Sequence, residues 1–452
     1  MTPEARRAGG VVPAALSASV LAPLNSTMIV VALPTMLEDL GASLTWGSWV
    51  VVSYLVAMAA VQPLGGSLGD RFGRPRMMRL GLVGFTLSTI LAAAAPNVAV
   101  LVVARTLQAV TGASAIPNGT ALVRAWLPVA RQGRALGAIG AGIGLAAALG
   151  PPLGGLVTDV LGWRWIFAVN LLVLVPGLVW TWRLPEVRRS EPGPRFDALG
   201  AALVLTTLVS AALAGTVWRV PGVPTVAAIA AAVVAVASLV ALRRHLARAP
   251  APVLDVSLFG RPGFLAAGAS VMFTNLTMYT VLLAVPIFLA QRAGRSAGEV
   301  GLALAGMSVL MMIFGPIGGS WSDRVGRRGP AVVGTLVAAG GTAALVAIQP
   351  DWGWLLLLAP LMVIGTGVGL ASAPVQAAAL QVAGRERAGQ AAGLFSTMRY
   401  VGSITGTAVM AAVLGPVPGE TVFRFLFAGL ALSALAAGLA SLRLPATPAS
   451  DA

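Results

Sequence analysis

Two arginines, Arg105 and Arg399, stand inside stretches that otherwise carry no charge. An arginine near the middle of an apolar membrane helix costs roughly 2.5–3.5 kcal/mol on insertion scales, so each needs a cavity or a polar partner in place of lipid. Arg399 lies about ten residues into its run, or ~15 Å along a helix, too deep for its head to snorkel out easily. Two amides, Asn25 and Gln108, share this apolar setting, with Gln108 one turn beyond Arg105. Arg105 and Arg399, with Gln108 as a lining group, are therefore candidates for a pathway that takes a polar solute or a proton. Carboxylates are absent from that depth. All fifteen acids fall at the ends of apolar runs, in the connections between them or near the termini. Asn25 can hydrogen-bond, but an amide cannot carry a proton.

The elements that hold these residues are membrane spans. Hydrophobic residues make up 57 % of the chain and charged residues 10 %, against roughly 25 % charged in a soluble domain. Charge-free runs recur from end to end, most of them near the ~20 residues that one crossing requires. Fourteen spans are expected. The apolar run that follows Arg6-Arg7 continues to Pro34, too long for a signal peptide, and reads as a retained first helix. Every basic residue apart from His245 is Arg. With fourteen spans and a cytoplasmic N-terminus, most Arg lie on the cytoplasmic side and only Arg164, Arg219, Arg292, Arg295 and Arg424 outside. The net charge of +15 then reflects topology and contact with anionic lipid, and nucleic acid is not expected as a partner. There is no Cys, and His245 reads as a solvated loop residue. No nucleotide-binding loop or metal-ligand spacing appears, so neither an enzyme nor a cofactor nor a metal site is expected.

The run Gly65-Gly66-Ser67-Leu68-Gly69-Asp70-Arg71-Phe72-Gly73-Arg74-Pro75 returns 253 residues later as Gly318-Gly319-Ser320-Trp321-Ser322-Asp323-Arg324-Val325-Gly326-Arg327-Arg328, with seven of eleven positions identical. Arg131, Gly133, Ala135 and Gly137 return as Arg387, Gly389, Ala391 and Gly393. Such repeats predict two homologous bundles able to rock against each other. In the loop copies, the glycines would let helix ends approach closely. Asp70 and Asp323 would pair with Arg or a helix N-terminus across the bundle interface, latching one conformation. Gly66, Asp70, Arg71, Gly73, Arg74, Asp323 and Arg324 are the candidate latch. Gly142, Gly150, Pro151, Pro152, Gly154 and Gly155 give one helix a small-residue face and a kink. The division expected is a six-span bundle over 1–184, connections with two nearly non-polar peripheral spans over 185–263, and a second six-span bundle over 264–452.

These residues resemble the major facilitator superfamily, specifically its fourteen-span drug:proton antiporter family. Gly66–Arg74 is similar to the superfamily's loop between spans two and three, with Pro75 where a basic residue is usual. Gly142 to Gly155 resembles the antiporter signature of span five, with Ala146 at a position usually Gly. Leu101–Gly112 resembles the span-four motif and Leu24–Pro34 the span-one motif. Trp163–Phe167 with Asn170, and Arg399 followed by Gly402 and Gly406, add to the likeness, which covers about residues 10–443. The family usually carries Asp where Asn25 stands.

The resemblance implies an all-α membrane protein with the major facilitator fold: two six-helix bundles plus two extra central spans. It implies a monomer in the cytoplasmic membrane that exports small amphipathic molecules such as drugs, antibiotics or metabolites by alternating access and proton antiport. Asn25 keeps a proton-independent exporter or uniporter open, and a non-transporting sensor or scaffold is a further alternative. A cavity holding Arg105 and Arg399 without a mid-membrane acid would suit neutral, zwitterionic or anionic solutes. Thr27, Tyr54, Asn118, Asn275, Thr277, Tyr279 and Tyr400 are further candidate lining groups. The expected topology puts both termini in the cytoplasm. In single-cysteine variants, positions 185–196 and 249–260 should be shielded from an impermeant label outside intact cells; external labelling there would refute the topology.

Overall fold

The computed structural model describes residues 3–185, 197–216, 224–249, 256–383, 388–414 and 418–446. Among them are fourteen α-helices. They are α1 (Pro3–Asp39), α2 (Leu44–Phe72), α3 (Arg74–Ala93), α4 (Val98–Trp126), α5 (Val129–Leu161), α6 (Trp165–Trp182) and α7 (Ala198–Thr216). The rest are α8 (Thr225–Leu246), α9 (Pro262–Gln291), α10 (Ala297–Val325), α11 (Arg328–Ala344), α12 (Trp354–Ala383), α13 (Ala388–Val413) and α14 (Glu420–Ser441). Thirteen are long and apolar enough to cross a membrane; α13, which carries Arg399, is the fourteenth helix. Helices are the required outcome, because hydrocarbon offers no partner to a free backbone N–H or C=O.

The helices pack as two copies of one arrangement. In the first bundle α1 contacts α4, α5 and α6, α4 contacts α2 and α3, and α3 contacts α6. In the second, α9 contacts α12, α13 and α14, α12 contacts α10 and α11, and α11 contacts α14. Each pair in one bundle has its counterpart in the other. The repeat extends to backbone contacts. A Cβ on Gly65 would stand 2.6 Å from the Ala113 carbonyl oxygen on α4, and one on Gly318 would meet the Leu370 carbonyl on α12. Both loop copies turn on a glycine with positive φ, Gly73 at 94° and Gly326 at 91°, where a side chain would be strained.

The two bundles meet along two seams that the same symmetry relates, α5 against α10 and α2 against α13. The extra helices are placed unequally. α7 packs on α2 and α13 and so covers that seam, while α8 packs on α7 and leaves Val226, Val233 and Val236 more than 60 % exposed. Only α8 is peripheral in the sense the composition suggested. His245 is also not a loop residue. It lies in the last turn of α8, and its Nε2 is 2.6 Å from the Asp197 carboxylate at the start of α7. That carboxylate also accepts from the Gly200 N–H at 2.8 Å, which caps α7. Much of the connecting sequence expected over 185–263, and most of the echo between 131–137 and 387–393, lies outside the described residues or side chains.

Candidate functional site

At mid-depth of the first bundle, five helices contribute to one polar cluster. Arg105 is 1 % exposed, and its guanidinium donates to Gln108 Oε1 at 2.7 Å. The other face of the guanidinium lies over the Tyr54 ring, 4.1 Å from its centroid. Gln108 is the hub. Its Oε1 also accepts from Asn25 Nδ2 at 3.4 Å, and its Nε2 donates to Thr89 Oγ1 at 2.9 Å. Asn25 Oδ1 in turn accepts from Asn170 Nδ2 at 3.2 Å. An amide oxygen and an aromatic face thus take the place of water and of an anion around the cation. The structure thus brings Asn25, Arg105 and Gln108 together in one buried cluster. Thr89 was not singled out as a partner; its position one helix turn beyond Phe85 gives no sequence signal.

Arg399 stands apart from this cluster. It is half-buried on α13 and lies over the Tyr400 ring at 5.3 Å. Several other candidate lining residues serve helix packing instead. Asn118 donates to the Gly65 and Ser114 carbonyls at 2.8 and 2.7 Å, Asn275 to the Val271 carbonyl, and Thr277 to the Leu430 carbonyl.

A cavity of about 660 Å³ opens between the bundles at the face that carries both termini. Its walls come from α2 (Gln62, Gly66), α3 (Arg74), α4 (Thr120, Arg124) and α13 (Ser396, Thr397, Tyr400). No carboxylate is among these described lining residues. Gly66 and Arg74 of the candidate latch therefore border the cavity mouth. Arg71 is exposed and lies over the Phe72 ring, and Arg324 is exposed. The side chain of Asp70 lies outside the described ones. Asp323 bonds Arg327 of its own turn at 2.6 Å, and Arg327 also donates to Ser322. In this state the Asp323 copy of the loop ties itself together, not one bundle to the other.

The opposite face is closed by the other half of the candidate residues. α5 runs unbroken through Pro151 and Pro152. Gly142, Gly150 and Gly154 face Leu16, Thr27 and Met28 of α1, so they belong to packing within the first bundle. Gly155 faces the second bundle, where a Cβ would meet the Ala297 carbonyl oxygen and stand 3.1 Å from the Gly298 Cα. Gly301 answers from α10, where a Cβ would stand 2.5 Å from the Pro151 carbonyl oxygen. One turn beyond Gly155, Asp159 Oδ2 accepts from the Gly298 N–H at 2.7 Å. A carboxylate at the N-terminus of a long helix is favoured by both the free N–H and the helix dipole. Asp159 is one of the acids at the end of an apolar run, and its spacing of four from Gly155 was the available signal in the sequence.

A Major Facilitator Superfamily model matches residues 15–407 and 267–451. An uncharacterized MFS-type transporter of Bacillus subtilis (strain 168) is 31% identical over 94% of this chain and 94% of its own length. Multidrug resistance protein Stp of Mycobacterium tuberculosis (strain CDC 1551 / Oshkosh) is 32% identical over 86% of this chain and 73% of its own. Among solved structures, one from work on substrate recognition in proton dependent oligopeptide transporters superposes with a TM-score of 0.69. It covers 96% of this chain and 98% of its own at 17% identity, which speaks to the fold alone.

Two outcomes follow from these contacts. Gln108→Leu removes the shared acceptor of Arg105 and Asn25 and should destabilise the protein by roughly 1–3 kcal/mol, the cost of orphaned buried donors. Unfolding in mixed micelles measures it, and an unchanged midpoint would show that the network carries no stability. Asp159→Asn and Gly155→Val each weaken the α5–α10 closure without touching the cavity. Cysteines placed on the closed face of α5 and α10 should become more reactive to an aqueous thiol reagent in both variants.

Proposed function

The chain belongs to the Major Facilitator Superfamily, a multi-pass membrane transporter and not an enzyme, and from that premise we propose that it exports small amphipathic molecules by alternating access. The observation that carries this reading is the pairing of a solute-sized cavity open at one face with a glycine-backed closure at the other. One relative bears the name multidrug resistance protein, which supports drugs or antibiotics as the solute class. The excess of Arg on the termini side supports a cytoplasmic position for that face, and in this reading the cavity loads from inside. Opening of the far face requires the Gly155–Gly301 crossing to part and the Asp159–Gly298 bond to break. The two signature loops, through Gly66, Asp70, Arg71, Gly73 and Arg74 and through Asp323 and Arg324, then latch the alternate state. Arg105, with Gln108 and Asn25, holds the first bundle's interior in one arrangement, and Arg399 meets the solute.

In this reading protons drive export by antiport, with titration carried by carboxylates at the membrane faces. A second reading, a proton-independent exporter or uniporter, draws on one observation. Asn25 accepts from Asn170 and donates to Gln108, so its amide is used in both senses and no titratable group replaces it.

Purified protein in proteoliposomes with an imposed pH gradient separates the two. Gradient-dependent uphill movement supports antiport; movement only down the solute's own gradient supports the second reading. With neither, the export proposal falls. The wild type should move the cation ethidium poorly. Asn25→Asp adds a negative charge close to the Gln108–Arg105 pair and should raise ethidium transport. Strong ethidium efflux by the wild type that no single carboxylate substitution abolishes would contradict the selectivity argument.

A further inference from the structure

The chain contains only three tyrosines, and they come from three helices in both bundles: Tyr54 on α2, Tyr279 on α9 and Tyr400 on α13. All three belong to one packed cluster, Tyr54 within it and Tyr279 and Tyr400 against it. The only two arginines inside the spans lie over two of their rings, Arg105 over Tyr54 at 4.1 Å and Arg399 over Tyr400 at 5.3 Å.

The charges there are unbalanced. Among the described residues no carboxylate pairs with Arg105 or Arg399. Arg105 Nε and the Tyr54 hydroxyl are buried with no hydrogen-bond partner, and both residues are at least 97 % buried. A buried cation without an anion is unfavourable, and a ligand that brings one is held correspondingly well. Arg105 is sealed behind Tyr54, so it supplies potential more than contact. Arg399 is half-buried, and its neighbour Tyr400 forms part of the cavity wall. A guanidinium in that position binds a carboxylate through its planar fork, and the adjacent phenol ring offers its π-face to a flat solute.

We infer that the inner end of the cavity is a binding site for planar aromatic molecules that carry one anionic group, with the anion on Arg399 and the ring against Tyr400. This rests on the reading of the cavity as the solute pathway and narrows the solute to a class. Arg105 sets the sign of the potential and disfavours cations. Apolar walls from α2, α4 and α13, such as Ala59, Ile116 and Ala392, accommodate the rest of the molecule.

The test uses three probes of one shape, naphthoate, naphthamide and naphthylmethylammonium, titrated calorimetrically against the full chain in nanodiscs. Naphthoate should bind at least about tenfold more tightly than the amide, the value of one charge-assisted hydrogen bond, and the ammonium should bind most weakly. Arg399→Gln should remove the preference for naphthoate and leave naphthamide unchanged, while Arg399→Lys keeps part of it. Tyr400→Leu should weaken acid and amide alike, and Tyr400→Phe should not. Equal affinity for acid and amide, or preference for the ammonium, overturns the inference from the wild type alone, whatever the variants do. Loss of naphthoate selectivity with uphill export of other solutes intact would leave the transport reading standing. Selective naphthoate binding without movement of any solute in proteoliposomes would instead support the site and remove the export reading.

Discussion

Arg105 is a full charge in the middle of a hydrophobic bundle with no carboxylate beside it, and the first bundle is arranged around that fact. Three solutions are available to such a group: water, an anion, or an ordered set of dipoles and π-faces. The structure uses the third. Gln108 presents its oxygen to Arg105 and to Asn25 at once, and turns its amide nitrogen to Thr89. Tyr54 closes the remaining face. Because the partners come from five helices, satisfying the charge also fixes how α1, α2, α3, α4 and α6 sit together. The residual positive potential is not cancelled, and it gives the region between the bundles a sign.

The internal repeat supplies the scaffold and not the chemistry. Glycines that set helix distances recur in both halves. Gly65 against α4 is matched by Gly318 against α12, and Gly150 and Gly154 against α1 are matched by Gly402 and Gly406 against α9. Carrying those same registers across puts Met362 where α4 has Arg105 and Ala147 where α13 has Arg399. Each intramembrane cation therefore belongs to one half only. The closures are equally one-sided. The α5–α10 seam is drawn tight by Gly155, Gly301 and Asp159, whereas the α2–α13 seam is looser towards the termini face and is covered by α7. A symmetric frame with asymmetric contacts is the kind of frame that the proposed alternating access requires.

Much of this was legible in the sequence because the governing physics is local. Hydrocarbon forces every span to be a helix, so run length yields fourteen of them once two runs are carried through Arg105 and Arg399. Positive φ at Gly73 and Gly326 could be anticipated from two identically spaced glycines in repeated turns. Mid-run Arg105 marked itself as a charge in need of a polar partner, and the structure supplies Gln108 one turn away. Packing was less legible. A helix that is apolar on all sides has almost no periodicity to say which face is inside, so Asn118, Asn275 and Thr277 looked like pathway residues and turned out to bond the backbones of helices. His245 looked solvated because its partner, Asp197, lies 48 residues away.

The sequence by itself thus determined the helices, their number, the doubling of the bundle and the absence of a carboxylate at mid-depth. Those follow from hydropathy and residue identity, which need no knowledge of neighbours. Only the tertiary structure decided which face is open, that Gly155 serves the seam between bundles while Gly150 and Gly154 serve α1, and that Arg105 is covered by Tyr54 from a different helix. Helices in a membrane associate through close packing and a few hydrogen bonds, not through a hydrophobic drive that patterns the sequence. Such contacts join residues tens to hundreds of positions apart, and they exist only once the backbones have been brought together.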